Sequence, residues 1–327
     1  MKTFAIFVAT LLSTTALLGA QQPAVSTHAP TIFAPDVISG PANDGAPTFS
    51  PDGNTLYFGR ANNSWGFILE SHKVGGVWQQ PVVASFSGQW SDQQPAFSPD
   101  GQRLVFVSMR TEATAPAVGM MMGRKAAIWE VDKIGSGWSE PKRLPDTVNL
   151  SPRVFKPSLT ADGSLYFMAK TDDAKTWRLY QSQYRRGMYL KAEPLPFSDG
   201  NHTDVDPQIA HDESFLIFSS AGRAAVDDSH EHLYITFKTV KGWGEIMPLR
   251  YDGDYEKNPC DDGEANLGPD HTTLYFNSGR VNPIHKDRSR EQAAQDFRML
   301  NQWDNSNSNV WSISLAPWLA TAQRSAR

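Results

Sequence analysis

Asp206 and Glu264 occupy the same place in a segment that recurs along the chain, where the other copies carry Ala46, Gln94 and Lys156. Two residues earlier in each copy stand Asp44, Asp92, Val154, Asp204 and Asp262, with Arg153 and Asp261 close by. Carboxylates gathered at one level shift each other's protonation, so one can hold a proton while another stays ionised. Two such acids across a cleft can cleave a glycosidic bond if they stand about 5 Å or about 6.5–9.5 Å apart. Asp206 and Glu264 are therefore the catalytic candidates. Their counterparts are Ala, Gln and Lys, so a rule shared by all copies does not explain them.

A second set follows the next apolar run of each copy: Arg60, Arg110, Lys170, Arg223 and Arg280. A guanidinium offers a planar fork of donors that matches a carboxylate. Two uses compete. The bases could pair with the acids of neighbouring repeats, or both signs could face a ligand. A mixed surface fits a carbohydrate or an acidic small molecule better than a partner of one sign. The expected ligand surface is Asp44, Asp92, Gln94, Arg153, Lys156, Asp204, Asp206 and Glu264, joined by Arg60, Arg110, Arg223 and Arg280.

His202, Asp204 and Asp206 alternate, so an extended backbone puts them on one face. They are the candidate metal ligands. Asp227, Asp228, His230 and His232 form a second cluster. Oxygen-rich sets suit Ca²⁺ or Mn²⁺, and added imidazoles tilt toward Mn²⁺ or Zn²⁺. Neither cluster has the spacing of a specific metal motif. The glycines lie in hairpin turns rather than strand-to-helix turns, so no nucleotide fingerprint is present. No serine sits in a nucleophile elbow.

The elements that must position these residues are hairpins. The clearest copies are 46–58, which contains Phe-Ser-Pro-Asp-Gly followed by Leu-Tyr-Phe, and 94–106, which ends Leu-Val-Phe. Weaker copies are 156–167, 206–218 and 264–276. Proline presets one turn angle, Asp bonds back to its own backbone, and Gly accepts a positive φ. The β-branched and aromatic run that follows favours a strand. A period of about 50–60 residues is that of a repeat array in which each unit is one small sheet.

The Phe-Ser-Pro-Asp-Gly hairpin resembles the PD40, or WD40-like, β-propeller repeat found in TolB-type proteins, over about residues 34–318. The resemblance implies an all-β fold: a five-bladed β-propeller of four-stranded antiparallel blades, with six blades as the alternative. It implies that the first strand of each blade lines a central channel, and that the residues entering it face one mouth. It does not fix the activity, because one fold hosts many functions. Two functions stay open. One is a binding or scaffold protein that recognises a protein or cell-envelope ligand at the channel mouth. The other is a carbohydrate-active enzyme, a glycoside hydrolase or lyase, using the acids there.

Residues 1–20 read as a signal peptide, with Lys2, an apolar run from Phe4 to Leu18, and small residues before Gln21. Export places the protein in the periplasm or outside the cell, with no transmembrane segment once the peptide is removed. Residues 21–33 read as a flexible lead, and 34–318 as one propeller domain. The strand expected at 34–39 completes the last blade, and 319–327 is read as a tail. A net charge of -5 lacks the basic stripe that nucleic acid requires. With one cysteine, Cys260, no disulfide can form within the chain. The tryptophans of the outer strands, Trp78, Trp138 and Trp243, are expected between blades. Insertions at 112–125 and 281–308 are expected at the same mouth as the acids, the second holding a short helix.

Overall fold

The computed structural model describes residues 29–62, 65–110, 125–223, 230–251, 260–280 and 287–325. The expected signal peptide, the 112–124 part of the second-blade insertion, and Asp227 and Asp228 lie outside the described residues.

The sequence folds into five antiparallel blades. The inner strands are Asn43–Phe49, Asp92–Phe97, Val154–Leu159, Thr203–Ile209 and Asp262–Leu267. Each pairs with a second strand: Thr55–Ala61, Arg103–Ser108, Leu165–Ala169, Phe215–Ala221 and Thr273–Ser278. The turn between them is built as its residues dictate. In each, the aspartate carboxylate accepts the backbone N–H two residues on, at 2.9–3.0 Å, for Asp52, Asp100, Asp162, Asp212 and Asp270.

The second strands lie mid-blade, between the first and third strands, with a pair of alternate apolar residues on one face of each. Leu56 and Phe58, Leu104 and Phe106, Leu165 and Phe167, Leu216 and Phe218, and Leu274 and Phe276 are all fully buried. Each contributes about 1.5–3 kcal/mol by leaving water. The outer-strand tryptophans do pack between blades. Trp138 of the second blade donates to Tyr57 Oη of the first at 2.9 Å. Trp243 of the fourth lies edge-on to Tyr166 of the third. A lysine covers the free face of each ring: Lys73 on Trp78, Lys133 on Trp138 and Lys238 on Trp243.

The ring closes at the N-terminus, but not through 34–39. The closing strand is Thr31–Ile32, paired with Asn309–Ser314 as the fourth strand of the fifth blade. Segment 34–39 is instead a tight turn. Ala34 and Asp36 have positive φ, and the Ala34 carbonyl accepts N–H groups from Val37, Ile38 and Ser39. Pro35 can supply no ladder hydrogen bond there. Phe33 anchors the closure, packing edge-on against Phe49, Trp78 and Tyr275. The expected tail is ordered in part as helix Ala316–Ser325, whose Trp318 enters the core between the fourth and fifth blades.

Candidate functional site at the channel mouth

Every inner strand contains one residue of positive φ, always at the same repeat position: Ala46 (47°), Gln94 (52°), Lys156 (49°), Asp206 (54°) and Glu264 (48°). None is glycine. Such a conformation costs a residue with a side chain about 1–3 kcal/mol. The strand register shifts at this point in all five blades. A bulge re-aims the side chain it carries. The position picked out by its divergent chemistry is thus also the position at which each blade bends.

Three of the five bulges are capped by the side chain of the preceding blade. The Lys156 N–H donates to Gln94 Oε1 at 2.9 Å. The Glu264 N–H donates to Asp206 Oδ2 at 2.8 Å. The Ala46 N–H donates to the Glu264 carboxylate. In these three links, the side chain of one blade caps the strained peptide of the next. The pattern breaks at the third blade. Lys156 reaches across the channel, and its Nζ donates to Ala265 O at 2.9 Å and Asn266 Oδ1 at 3.3 Å. The Asp206 N–H is met by Met168 Sδ instead, at 3.4 Å.

Two glycines make room for the acids. A Cβ on Gly45 would overlap Glu264 Oε2, and one on Gly263 would lie 2.8 Å from Asp206 Oδ2. Glu264 also accepts from Gln94 Nε2 at 2.8 Å and from Asn277 Nδ2 at 3.2 Å. Asp206 and Lys156 are buried, whereas Glu264 is half-buried. Glu264 borders a pocket with Asn43, Gly45, Ala46, Gly59, Gln94 and Asn277. That pocket exists because the first blade carries only small residues at this level.

Burial and the Asp206 charge push the Glu264 carboxyl up to about 7. Burial also raises Asp206, against the pull of Lys156 and the Glu264 N–H. It lowers Lys156 to about 8, with Asp206 and Glu264 opposing the fall. Glu231, at the rim between the fourth and fifth blades, is pushed up to about 8 by burial and by Asp206, Asp261 and Glu264. Burial thus shifts Glu264, Glu231 and Lys156 toward neutral pH.

The second set of predicted residues lies apart from these bulges. The arginines pair with the aspartates of their own blades rather than with those of neighbours. Arg60 holds Asp44 at 2.6 Å, Arg110 holds Asp92 at 3.0 Å, Arg223 holds Asp204 at 2.6 Å and Arg280 holds Asp262 at 2.7 Å. The first three also donate to a carbonyl of the segment leading into the blade: Ile38, Phe86 and Phe197. In the fifth blade Tyr251 takes that place, its hydroxyl bonded to both Arg280 and Asp262. All four carboxylates are buried. The third blade has Val154 in place of the aspartate, and Arg153 there lies near the exposed Asp172.

The three proposed metal ligands do not converge. Asp204 Oδ1 is bonded to Ser220 and Arg223, and Asp206 turns into the channel at its bulge. Among the described residues no group of three or more His, Cys, Asp or Glu side chains is placed to hold one metal ion. Cys260 is half-buried beside Ser278, its thiol pushed up by burial and by Asp262. Sequence reasoning missed Asn277, Met168 and Glu231. The first two face the bulges from the second strand, where their counterparts are Gly59, Val107 and Ser219. Divergence at that level is visible in the sequence as Gly59, Val107, Met168, Ser219 and Asn277.

No family model and no curated protein matches the chain. Among solved structures, the α-L-arabinofuranosidase from Lactobacillus brevis is similar over 86% of this chain and 92% of its own, with a TM-score of 0.54 and 11% identity. The putative TolB from Agrobacterium tumefaciens gives a TM-score of 0.47 at 17% identity, covering 76% of this chain and 74% of that one. TolB from Acinetobacter baumannii gives 0.46 at 12%, and this chain spans 54% of it. The five closed antiparallel blades make the fold a five-bladed β-propeller. At these identities the likeness is one of fold, and the activity of this propeller must be argued from its own mouth.

Proposed function

We propose that this propeller is a binding protein that receives a protein or cell-envelope ligand at the mouth where the inner strands begin. Glu264, Gln94, Asn277 and Asn43 are the contact groups. The observation that carries this reading is the unequal placing of the two candidate acids. Only Glu264 borders the pocket, while Asp206 is buried with one oxygen committed to the Glu264 N–H. Glycoside cleavage by two acids needs both of them flanking the scissile bond. One half-buried carboxyl among side-chain amides instead supplies donors and acceptors for a peptide or a hydroxylated group.

Export, with residues 1–20 removed, supports a ligand in the periplasm or outside the cell. No helix among the described residues is long and apolar enough to cross a membrane. N-terminal sequencing of the mature protein tests the cleavage.

The deciding experiment is a pull-down from envelope extract with the wild-type protein and Glu264→Ala. One stoichiometric partner, lost in the variant, supports binding. A parallel assay on oligosaccharides, with and without Ca²⁺ or Mn²⁺, tests the enzyme. Product that disappears in Glu264→Gln and Asp206→Asn would replace the binding reading with a glycosidase or lyase.

A further inference from the structure

The opposite end of the channel is ringed by the repeat turns, and there the chain departs from its own repeat. In the first and second blades the turn proline and glycine make a contact between blades. A Cβ on Gly101 would lie 2.8 Å from Pro51, and one on Gly53 would lie 3.3 Å from Pro269 of the fifth blade. Where the fourth blade meets the fifth, both partners are replaced. His211 stands at the proline position and His271 at the glycine position. His271 keeps the positive φ of the glycine it replaces, 55°. Glycine would adopt that angle without strain, so the imidazole is kept at a cost. Glu213 is the other non-glycine at this position, and bonds to Tyr166 and Gln181 of the third blade account for it. The partner of His271 is the other imidazole.

The two rings lie nearly perpendicular, at 84°, with their centres 4.7 Å apart. With Zn–N bonds of about 2.0–2.1 Å, a bound imidazole is centred about 3.2 Å from the ion, so two centres 4.7 Å apart subtend about 95° at it. That is a normal angle for two adjacent ligands. Both histidines line a cavity with Gln208. Gln208 is buried and its amide nitrogen donates to Ile209 O, while its carbonyl oxygen accepts no bond among the described residues. The exposed turn aspartates Asp212 and Asp270 adjoin the two histidines in sequence and make this mouth favourable to a cation.

The geometry points to a divalent transition-metal site formed by His211 and His271 at the turn-side mouth, with Zn²⁺, Ni²⁺ or Cu²⁺ as the class of ion that imidazole pairs prefer. The ion ties the fourth blade to the fifth in place of the missing Gly–Pro contact. Its remaining coordination positions face the cavity.

Titration calorimetry of metal-free protein with ZnCl₂ tests this. The expected result is one saturable site, weakened beyond tenfold in both His211→Ala and His271→Gly. Loss of a mere hydrogen-bonding partner of a metal ligand already costs about 10–100-fold. His271→Gly restores the residue that suits the left-handed turn, so this variant folds, and its circular dichroism verifies that. The absence of saturable Zn²⁺ binding in the wild type overturns the proposal. So does unchanged binding in both variants, which assigns the ion to another site. Loss in His211→Ala alone overturns the paired ligand set.

Discussion

Asp206 Oδ2 accepts the backbone N–H of Glu264 at 2.8 Å, so one candidate acid holds the other in its strained conformation. The two have different duties. Asp206→Asn can still accept that bond through its amide oxygen, whereas Asp206→Ala leaves a buried N–H unmet. Loss of a buried partner costs about 1–3 kcal/mol. Denaturant unfolding should rank the wild type first, Asp206→Asn next and Asp206→Ala last. Equal midpoints for the two variants would remove Asp206 from its capping role.

Gly45 gives a sharper test of the same mouth. A methyl group there overlaps the Glu264 carboxylate, so Gly45→Ala must push that side chain away from Gln94 and Asn277. Overpacking of a tight site costs about 1–3 kcal/mol. The expected outcome is a lower melting temperature together with loss of any ligand held by Glu264. Gly59→Ala faces the same pocket, but its Cβ would be 3.6 Å from the nearest atom. It serves as the tolerated control for stability.

The pH dependence follows from the cited shifts. Glu264 has a folded pKa of about 7, above its unfolded value. It contributes stability in acid that is lost as pH rises through about 7. Lys156 has a folded pKa of about 8, below its unfolded value. Its contribution is complete above about pH 10.5 and is lost as pH falls through about 8. Melting temperatures recorded from about pH 5 to about pH 9 should show a smaller fall through neutrality in Glu264→Gln than in the wild type. An identical profile in the two proteins would contradict the raised carboxyl.

Closure offers a test outside the mouth. The fourth strand of the fifth blade is only Thr31–Ile32, and Phe33 fixes it among Phe49, Trp78 and Tyr275. Phe33 is half-buried, so Phe33→Ala should cost up to about 3 kcal/mol, the low end for large-to-small changes of an aromatic residue. Truncation before residue 34 should cost at least as much. Unfolding midpoints equal to wild type in both would mean that the ring is held without its N-terminal clasp.

The blades were legible because each repeat marks its hairpin twice, once in the turn aspartate shared by all five copies and once in the Leu-x-Phe run that the second strand buries. The closing strand was not. Thr31 and Ile32 lie in a segment rich in Pro, Ala and Thr, and their strand exists only through pairing with residues about 280 positions away, as in Thr31 with Ser312. At the mouth, the divergence of Gln94, Lys156, Asp206 and Glu264 was visible. The positive φ that aims them was not, because none is glycine. The reach of Lys156 across the axis, which separates it from the arginine pairs, is likewise a property of the closed ring.

The Arg–Asp pairs carry the last prediction. Burial raises the pKa of Asp92, with Arg110 as the main opposing influence. Arg110→Ala therefore strands a buried carboxylate and also frees the Phe86 carbonyl. Breaking a buried pair from one side costs about 3–5 kcal/mol. The third blade shows another solution, since Val154 fills the aspartate position and is fully buried. Installing it in the second blade as Asp92→Val, together with Arg110→Ala, removes the stranded charge. Replacing a buried ion pair by apolar groups is often close to neutral. The double variant should thus be more stable than Arg110→Ala alone, measured as a coupling energy in a double-mutant cycle. If the two changes simply add, the pair does not act as a unit. In that case the aspartate ring would be free to serve a ligand rather than the blade.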